Sequence, residues 1–219
     1  MRALLLLVLA TLGHAAPAPT SSYLFARADK DATSIILAAA PASSSCSGGD
    51  FPEECRTAQQ AMPFLTKAFA DYKIYSVPEI AAVLSLIAFE SDDFKFNINH
   101  YPAPGRPGQG TRNMQMPNFN LQYTLSVSPD AVKKITTATS TEGLSDAVLN
   151  SIRDIVTTDQ FTWASGAWFL VNHCASVRPA IQKGDEAGFE AYMDCIGTAV
   201  TDDRLQKWKA AMTAFGLSV

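Results

Sequence analysis

The sequence predicts an all-α fold, a single compact helical domain with at most a small β element, and three observations carry that prediction. Apolar residues recur at helical spacing in successive segments, and helix-start chemistry stands ahead of several of them. The one long stretch without periodicity, 94–129, is punctuated by proline and glycine, as loops are. With 47% hydrophobic and 17% charged residues in 219, the composition is that of a globular protein. The length suits one domain with a sizeable core.

The chain opens on a secretory signal. Arg2 gives a short positive start, Leu4 to Leu12 is almost unbroken apolar sequence, and Gly13-His14-Ala15 ends in small residues. Residues 1–16 therefore read as a signal peptide cut after Ala15 or Ala16. The apolar run is too short for a bilayer, which takes roughly 20 residues, and no later window is apolar enough either. A soluble, secreted, extracellular protein is expected. Residues 17–50 are rich in Ala, Pro and Ser and read mostly as a flexible leader, with a strand or short helix around Ala32–Ala40. The folded domain is expected over 51–219.

From Pro52 the pattern turns helical. Glu53 and Glu54 suit the positive end of a helix, and Ala61, Phe64, Leu65, Ala68 and Phe69 recur on one face. Ser76-Val77-Pro78-Glu79 predicts a capping box with proline in the first turn. The helix it starts runs through Ile80, Val83, Leu84 and Ile87 to about Glu90, is apolar on nearly every side, and so belongs in the core. Next come Pro102, Pro104, Gly105, Pro107, Gly108 and Gly110, in an irregular stretch long enough to line a functional cleft. Helices are expected again from Ser128-Pro129-Asp130, then over 145–156, 162–175, 185–196 and 201–215.

The formal net charge is −4 and the isoelectric point about 5.3, and cleavage of the signal peptide removes Arg2 as well. A field of that sign repels nucleic acid and anionic membrane, which argues against both as partners. A monomer is expected. The cysteines are Cys46, Cys55, Cys174 and Cys195, an even number that suggests two disulfides in an oxidising compartment. Four cysteines allow three pairings, and proximity favours Cys46–Cys55 and Cys174–Cys195. Zinc-type spacing, an HExxH motif and a phosphate-binding glycine loop are all missing, so no metal and no cofactor is expected.

Glu90 carries the candidate chemistry. It follows Leu86-Ile87-Ala88-Phe89 at the end of the most hydrophobic helix, where apolar surroundings raise a carboxyl pKa. An acid kept protonated near neutral pH can donate to the leaving oxygen of a glycosidic bond. A Glu frayed into solvent at the helix end could not. Asp92 and Asp93 follow closely, either as a second carboxylate or as solvated residues at the helix C-terminus.

Ala88-Phe89-Glu90-Ser91, followed by Gly110-Thr111-Arg112-Asn113-Met114-Gln115-Met116-Pro117, resembles the goose-type lysozyme and soluble lytic transglycosylase superfamily. There a helix ending in Glu-Ser precedes a Gly-x-x-Gly-Leu-Met-Gln-x-x-Pro-like segment. Asn113 stands here in place of the family's Gly-Leu, and Pro117 comes one residue early. The resemblance implies a lysozyme-like fold, α+β at most, with Glu90 as general acid and Met114 and Gln115 lining a saccharide cleft. Ser91 and Asn113 lie in the matched segments and join them as substrate-binding residues. Asn99 and Tyr123 add amide and phenol groups suited to the hydroxyls and N-acetyl group of an amino sugar. Trp163, Trp168 and Phe169 are either core or, one of them, a sugar-stacking ring.

The resemblance thus implies a secreted microbial glycosidase, fungal included, that cleaves β-1,4 linkages of an amino-sugar polymer. Its expected partner is a cell-wall polysaccharide, peptidoglycan first and chitin or chitosan second. The alternative is a non-catalytic secreted binding module or effector on the same scaffold, which the acidic charge favours.

Overall fold

The computed structural model describes residues 31–219; the expected signal peptide, 1–16, and the leader as far as residue 30 lie outside the described residues. The helices in chain order are α1 (Ala32–Ala39), α2 (Ala58–Asp71), α3 (Val77–Glu90), α4 (Pro117–Val127), α5 (Pro129–Lys133) and α6 (Asp146–Val156). They continue with α7 (Asp159–Thr162), α8 (Ser165–Asn172), α9 (Arg178–Ile181), α10 (Glu186–Cys195) and α11 (Asp202–Ala214). Among the described residues no strand forms, and β-type pairing is confined to the isolated bridges Ile98–Gly110 and Gly110–Gln115. The all-α prediction holds, and the small β element sits in the long loop.

Helix α3 is central because its sequence leaves it no polar stripe to expose. Every residue from Glu79 to Ala88 is buried, and α1, α8, α9 and above all α11 pack around it. Gly166 lets α8 come close: a Cβ there would meet Val83 Cγ1 at 3.2 Å and Ile87 Cδ1 at 3.3 Å. The expected capping box does not form. Ser76 makes no side-chain cap bond, and Glu79 instead accepts from Arg178 Nε at 2.6 Å and Gln182 Nε2 at 3.1 Å. With α9 laid over it, a buried carboxylate takes a guanidinium and an amide in preference to its own backbone.

Two other elements differ from expectation, and a third takes one of its two expected forms. The stretch around Ala32–Ala40, expected as a strand or short helix within the leader, is helix α1, capped by Asp31, whose side chain accepts from Ser34 N at 3.0 Å. Bonds from Ser34 hold the Asp31 carboxyl below its ordinary value. Ile35, Ile36 and Ala39 of this helix are fully buried, so its apolar face is part of the core. Helix α2 starts at Ala58 and not at Pro52, because Thr57 and Gln60 form the reciprocal capping box. Helix α4 arises inside the stretch expected to be loop. Its inward side mixes Asn120 and Thr124 with Leu121 and Tyr123, which erases the apolar periodicity that would announce it. Leu121 meets Val132 of α5 and Ile152 of α6 in a small second core.

Both disulfides join the pairs that proximity favoured, Cys46–Cys55 and Cys174–Cys195. No helix among the described residues is long and apolar enough to cross a membrane.

Candidate functional site

The C-terminal end of α3 opens into a groove of two basins. The first, about 250 Å³, is lined by residues that include Leu86, Glu90, Gln115, Phe119, Ile196 and Arg204. The second, about 260 Å³, is bordered by Ile98, Asn99, His100 and Tyr101. Glu90, Gln109 and Met114 line both, so the basins meet at Glu90.

The turn that ends α3 is unusual in its backbone. Asp92, Asp93 and Phe94 all adopt left-handed conformations, with φ of 48°, 55° and 72°. Such residues cost on the order of 1–2 kcal/mol each and persist only where their surroundings hold them. Ser91 is the first restraint: its hydroxyl donates to Ile87 O at 2.6 Å and accepts from Phe94 N at 3.0 Å. Phe94 then drives fully into the core, edge-on to Trp163 at 5.0 Å. Asp93 accepts from Ala42 N at 2.9 Å and is ion-paired with Lys207.

Past the turn, side chains supply the order that helix or sheet would otherwise give. Arg112 is 0% exposed and lies over the Trp163 ring at 4.5 Å. Its guanidinium donates to the carbonyls of Phe94 (2.8 Å), Phe96 (2.9 Å) and Glu54. Burial, helped by nearby Arg56 and opposed by Asp159 and Glu54, pulls this group down to about 9, still protonated at neutral pH. The Glu54 carboxylate accepts from the backbone N–H groups of Asn97 (2.7 Å) and Ile98 (3.0 Å) and bonds His100 Nε2 at 2.7 Å. Phe51 stacks on the His100 ring with centroids 3.6 Å apart. Gly110 bridges to both Ile98 and Gln115, and a Cβ there would lie 2.7 Å from Asn97 O. The second basin's border is thus tied to the Cys46–Cys55 staple through Glu54.

Glu90 itself is ion-paired. Its Oε1 accepts from Arg204 Nη2 at 2.6 Å, with the two side chains 22% and 11% exposed. Arg204 also lies over the Phe89 ring at 3.9 Å. Tyr192 is fully buried, and burial together with the Glu90 charge pushes its phenol far above the ordinary value.

Of the residues expected in a cleft, Glu90, Asn99, Asn113, Met114 and Gln115 do line the groove. The others do not. Ser91 is fully buried and spends its hydroxyl on the turn. Tyr123 is fully buried and donates to Phe161 O at 2.8 Å, its phenol raised by burial. Asp93 is held by Lys207, and Asp92 borders a separate hollow beside α1 and α11. Trp163 and Trp168 are core, while Phe169 reaches the groove. Sequence reasoning missed Arg204, Phe119 and the Ile196–Thr198 corner, which also line it. Phe119 lies two residues past the matched segment; Arg204 carries no local signal, being one charged residue on a polar helix.

Comparison with known proteins corrects the family and function expected above. No protein-family model matches the chain, and no solved structure does. Over 160 residues, 72% of this chain, it is 49% identical to a bifunctional dioxygenase (DOX)-epoxy alcohol synthase (EAS) of Fusarium oxysporum (strain Fo5176). The chain spans about 12% of that protein's length. This likeness overturns the lysozyme-like reading, the glycosidase activity and the polysaccharide partner, and with them the choice of peptidoglycan or chitin. The structure supplies a physical reason for the misreading. The motif places Glu90 at a groove, where its carboxylate faces the Arg204 guanidinium and not a purely apolar surface.

Proposed function

We propose that this chain is a helical ligand-binding module whose groove takes an elongated, amphipathic, oxygen-bearing small molecule, of the class that a dioxygenase–epoxy alcohol synthase forms or uses. One observation carries this: apolar Leu86, Met114, Met116, Phe119 and Ile196 line the same groove as the Glu90–Arg204 pair. Specific pockets combine an apolar lining with a few placed polar groups in this way. The likeness to the Fusarium protein suggests the oxygen functions, an epoxide and a hydroxyl, and the apolar lining of the groove suits an apolar chain that carries them.

Dioxygen chemistry needs a metal or flavin-type centre to supply electrons one at a time. Among the described residues no group of three or more His, Cys, Asp or Glu gathers as a metal site, and the four cysteines are all in disulfides. No metal ion held by three or more such ligands fits the described residues, and no oxygenation step is assigned to this chain.

The test is calorimetric titration of the purified chain with a long-chain epoxy alcohol. For a ligand of about 20 non-hydrogen atoms at roughly 0.3 kcal/mol per atom, a Kd on the order of 40 μM is expected. Phe119→Asp, which puts a charge on the apolar lining, should remove binding. Absence of binding to the folded parent would overturn the proposal.

A further inference from the structure

Two apolar residues among the described ones carry left-handed backbone, Phe94 and Met114, with φ of 72° and 47°. Glycine and asparagine enter that region readily, other residues only at a cost. For Phe94 the core explains the cost, since its ring is buried edge-on to Trp163. Met114 has no such reason: it is half-buried and packs against neither apolar core of the described residues. The turn around it is nonetheless held firmly. Met114 N donates to Thr111 O at 3.0 Å, and Met114 O accepts from Gln109 Nε2 at 3.0 Å. On either side, Gly110 N donates to Gln115 O at 3.1 Å, and Ser165 Oγ of α8 donates to Asn113 Oδ1 at 2.6 Å. With both backbone polar groups engaged, what Met114 offers the groove is its thioether side chain, and it borders both basins beside Glu90.

Backbone strain that packing does not explain marks sites where function uses the residue. A glycine or asparagine at 114 would take the same turn without the cost, yet methionine stands there. We propose that Met114 is the ligand-contacting residue at the joint of the groove, held in a strained turn so that its side chain meets the apolar chain of the ligand where that chain passes from one basin into the other. An unbranched, polarizable thioether adapts its shape to a hydrocarbon chain and asks no hydrogen bond of it. This inference rests on the proposed binding groove and adds to it that one ligand occupies both basins, and which residue it crosses between them.

The experiment titrates the full chain, isotope-labelled at its methionine methyl groups, with a long-chain epoxy alcohol. The Met114 methyl resonance, assigned by its loss in Met114→Leu, should shift and saturate with the ligand, while those of buried Met193 and Met212 stay in place. By calorimetry Met114→Leu, apolar and equally strained, should bind within about 3-fold of the parent. Met114→Gly and Met114→Asn relieve the turn and remove the apolar contact. Both should bind roughly 10-fold more weakly, with no fall in the urea midpoint of unfolding. A stationary Met114 resonance with ligand bound, or parent affinity in Met114→Gly, would overturn the inference and leave the groove standing. So would a lowered urea midpoint in both variants, which would make Met114 a structural residue. No binding by the folded parent would overturn the groove and this contact together.

Discussion

The two halves of the groove are ordered by different physics. On one half, α3 and the helices around it are held by apolar burial, with Ile80 to Ile87 almost wholly out of water. On the other, the 94–116 segment has scarcely any regular structure and is held by side chains that bond backbone. Arg112 takes three carbonyls, Glu54 takes two N–H groups, and Asn120 takes two carbonyls. Buried backbone groups must be paired somewhere, and where helix or sheet does not pair them a few polar side chains must. Apolar burial spreads its stabilisation over many residues, so one truncation weakens the whole without selecting a part. A polar strut concentrates it, so one truncation undoes the site.

The sharpest way to break this comparison is Arg112→Met. It leaves the carbonyls of Phe96 and Glu54 without a donor, while Phe94 O keeps Arg56 N at 3.0 Å, at about 1–3 kcal/mol for each buried orphan. A loss of roughly 3–5 kcal/mol in urea unfolding is expected. Hydrogen exchange should show the amides of Asn97 and Ile98 losing protection ahead of the helices. Uniform loss of protection would mean that the loop and the helical core unfold as one unit.

Ile87→Ala makes the complementary cut. The side chain is fully buried, and its truncation should cost about 3 kcal/mol through transfer and cavity terms. Here protection should fall throughout, with no early loss at Asn97 and Ile98. Cys46→Ala with Cys55→Ala comes next. The pair closes a loop of sequence separation 9, for which chain entropy gives about 2.5 kcal/mol. Its exchange signature should resemble that of Arg112→Met, because Glu54 adjoins the staple and holds both amides. Removing Cys174–Cys195, with separation 21, should cost slightly more, about 3.3 kcal/mol, yet leave those two amides protected.

The same division explains what could be read from the sequence. Helices α3, α6, α10 and α11 were legible because their apolar spacing and start signals are local. The two disulfides were legible from proximity. Helix α4 was not, because Asn120 and Thr124 face inward and break the pattern. Glu79 looked like half of a capping box, and only α9, a hundred residues away, reveals it as a buried ion-pair partner. At the site, the motif residues Glu90, Asn113, Met114 and Gln115 line one hollow. Their chemistry was not legible, since Arg204 sits 114 positions from Glu90 and nothing local to either residue announces the other. Ser91 and Tyr123 were placed wrongly for a related reason: short polar side chains serve backbone satisfaction as readily as ligands, and sequence does not tell the two apart.

The smallest effect at neutral pH concerns Tyr192, on the helical half. Its hydroxyl has no hydrogen-bond partner among the described residues, so Tyr192→Phe should change stability at pH 7 by no more than about 0.5 kcal/mol. The alkaline limb should differ much more. Burial and the Glu90 charge raise this phenol in the folded protein, so its contribution is intact below about pH 10, where the unfolded phenol begins to ionise, and is lost as pH rises further. Between about pH 10 and 12 the parent should lose stability faster than the variant by up to about 1.4 kcal/mol per pH unit, with buried Tyr123 still acting in both. Urea unfolding at pH 7, 10, 11 and 12 reads the slope. Equal slopes would mean that the folded protein ionises Tyr192 freely, so that water reaches beneath Glu90 and the helical half of the groove is not dry.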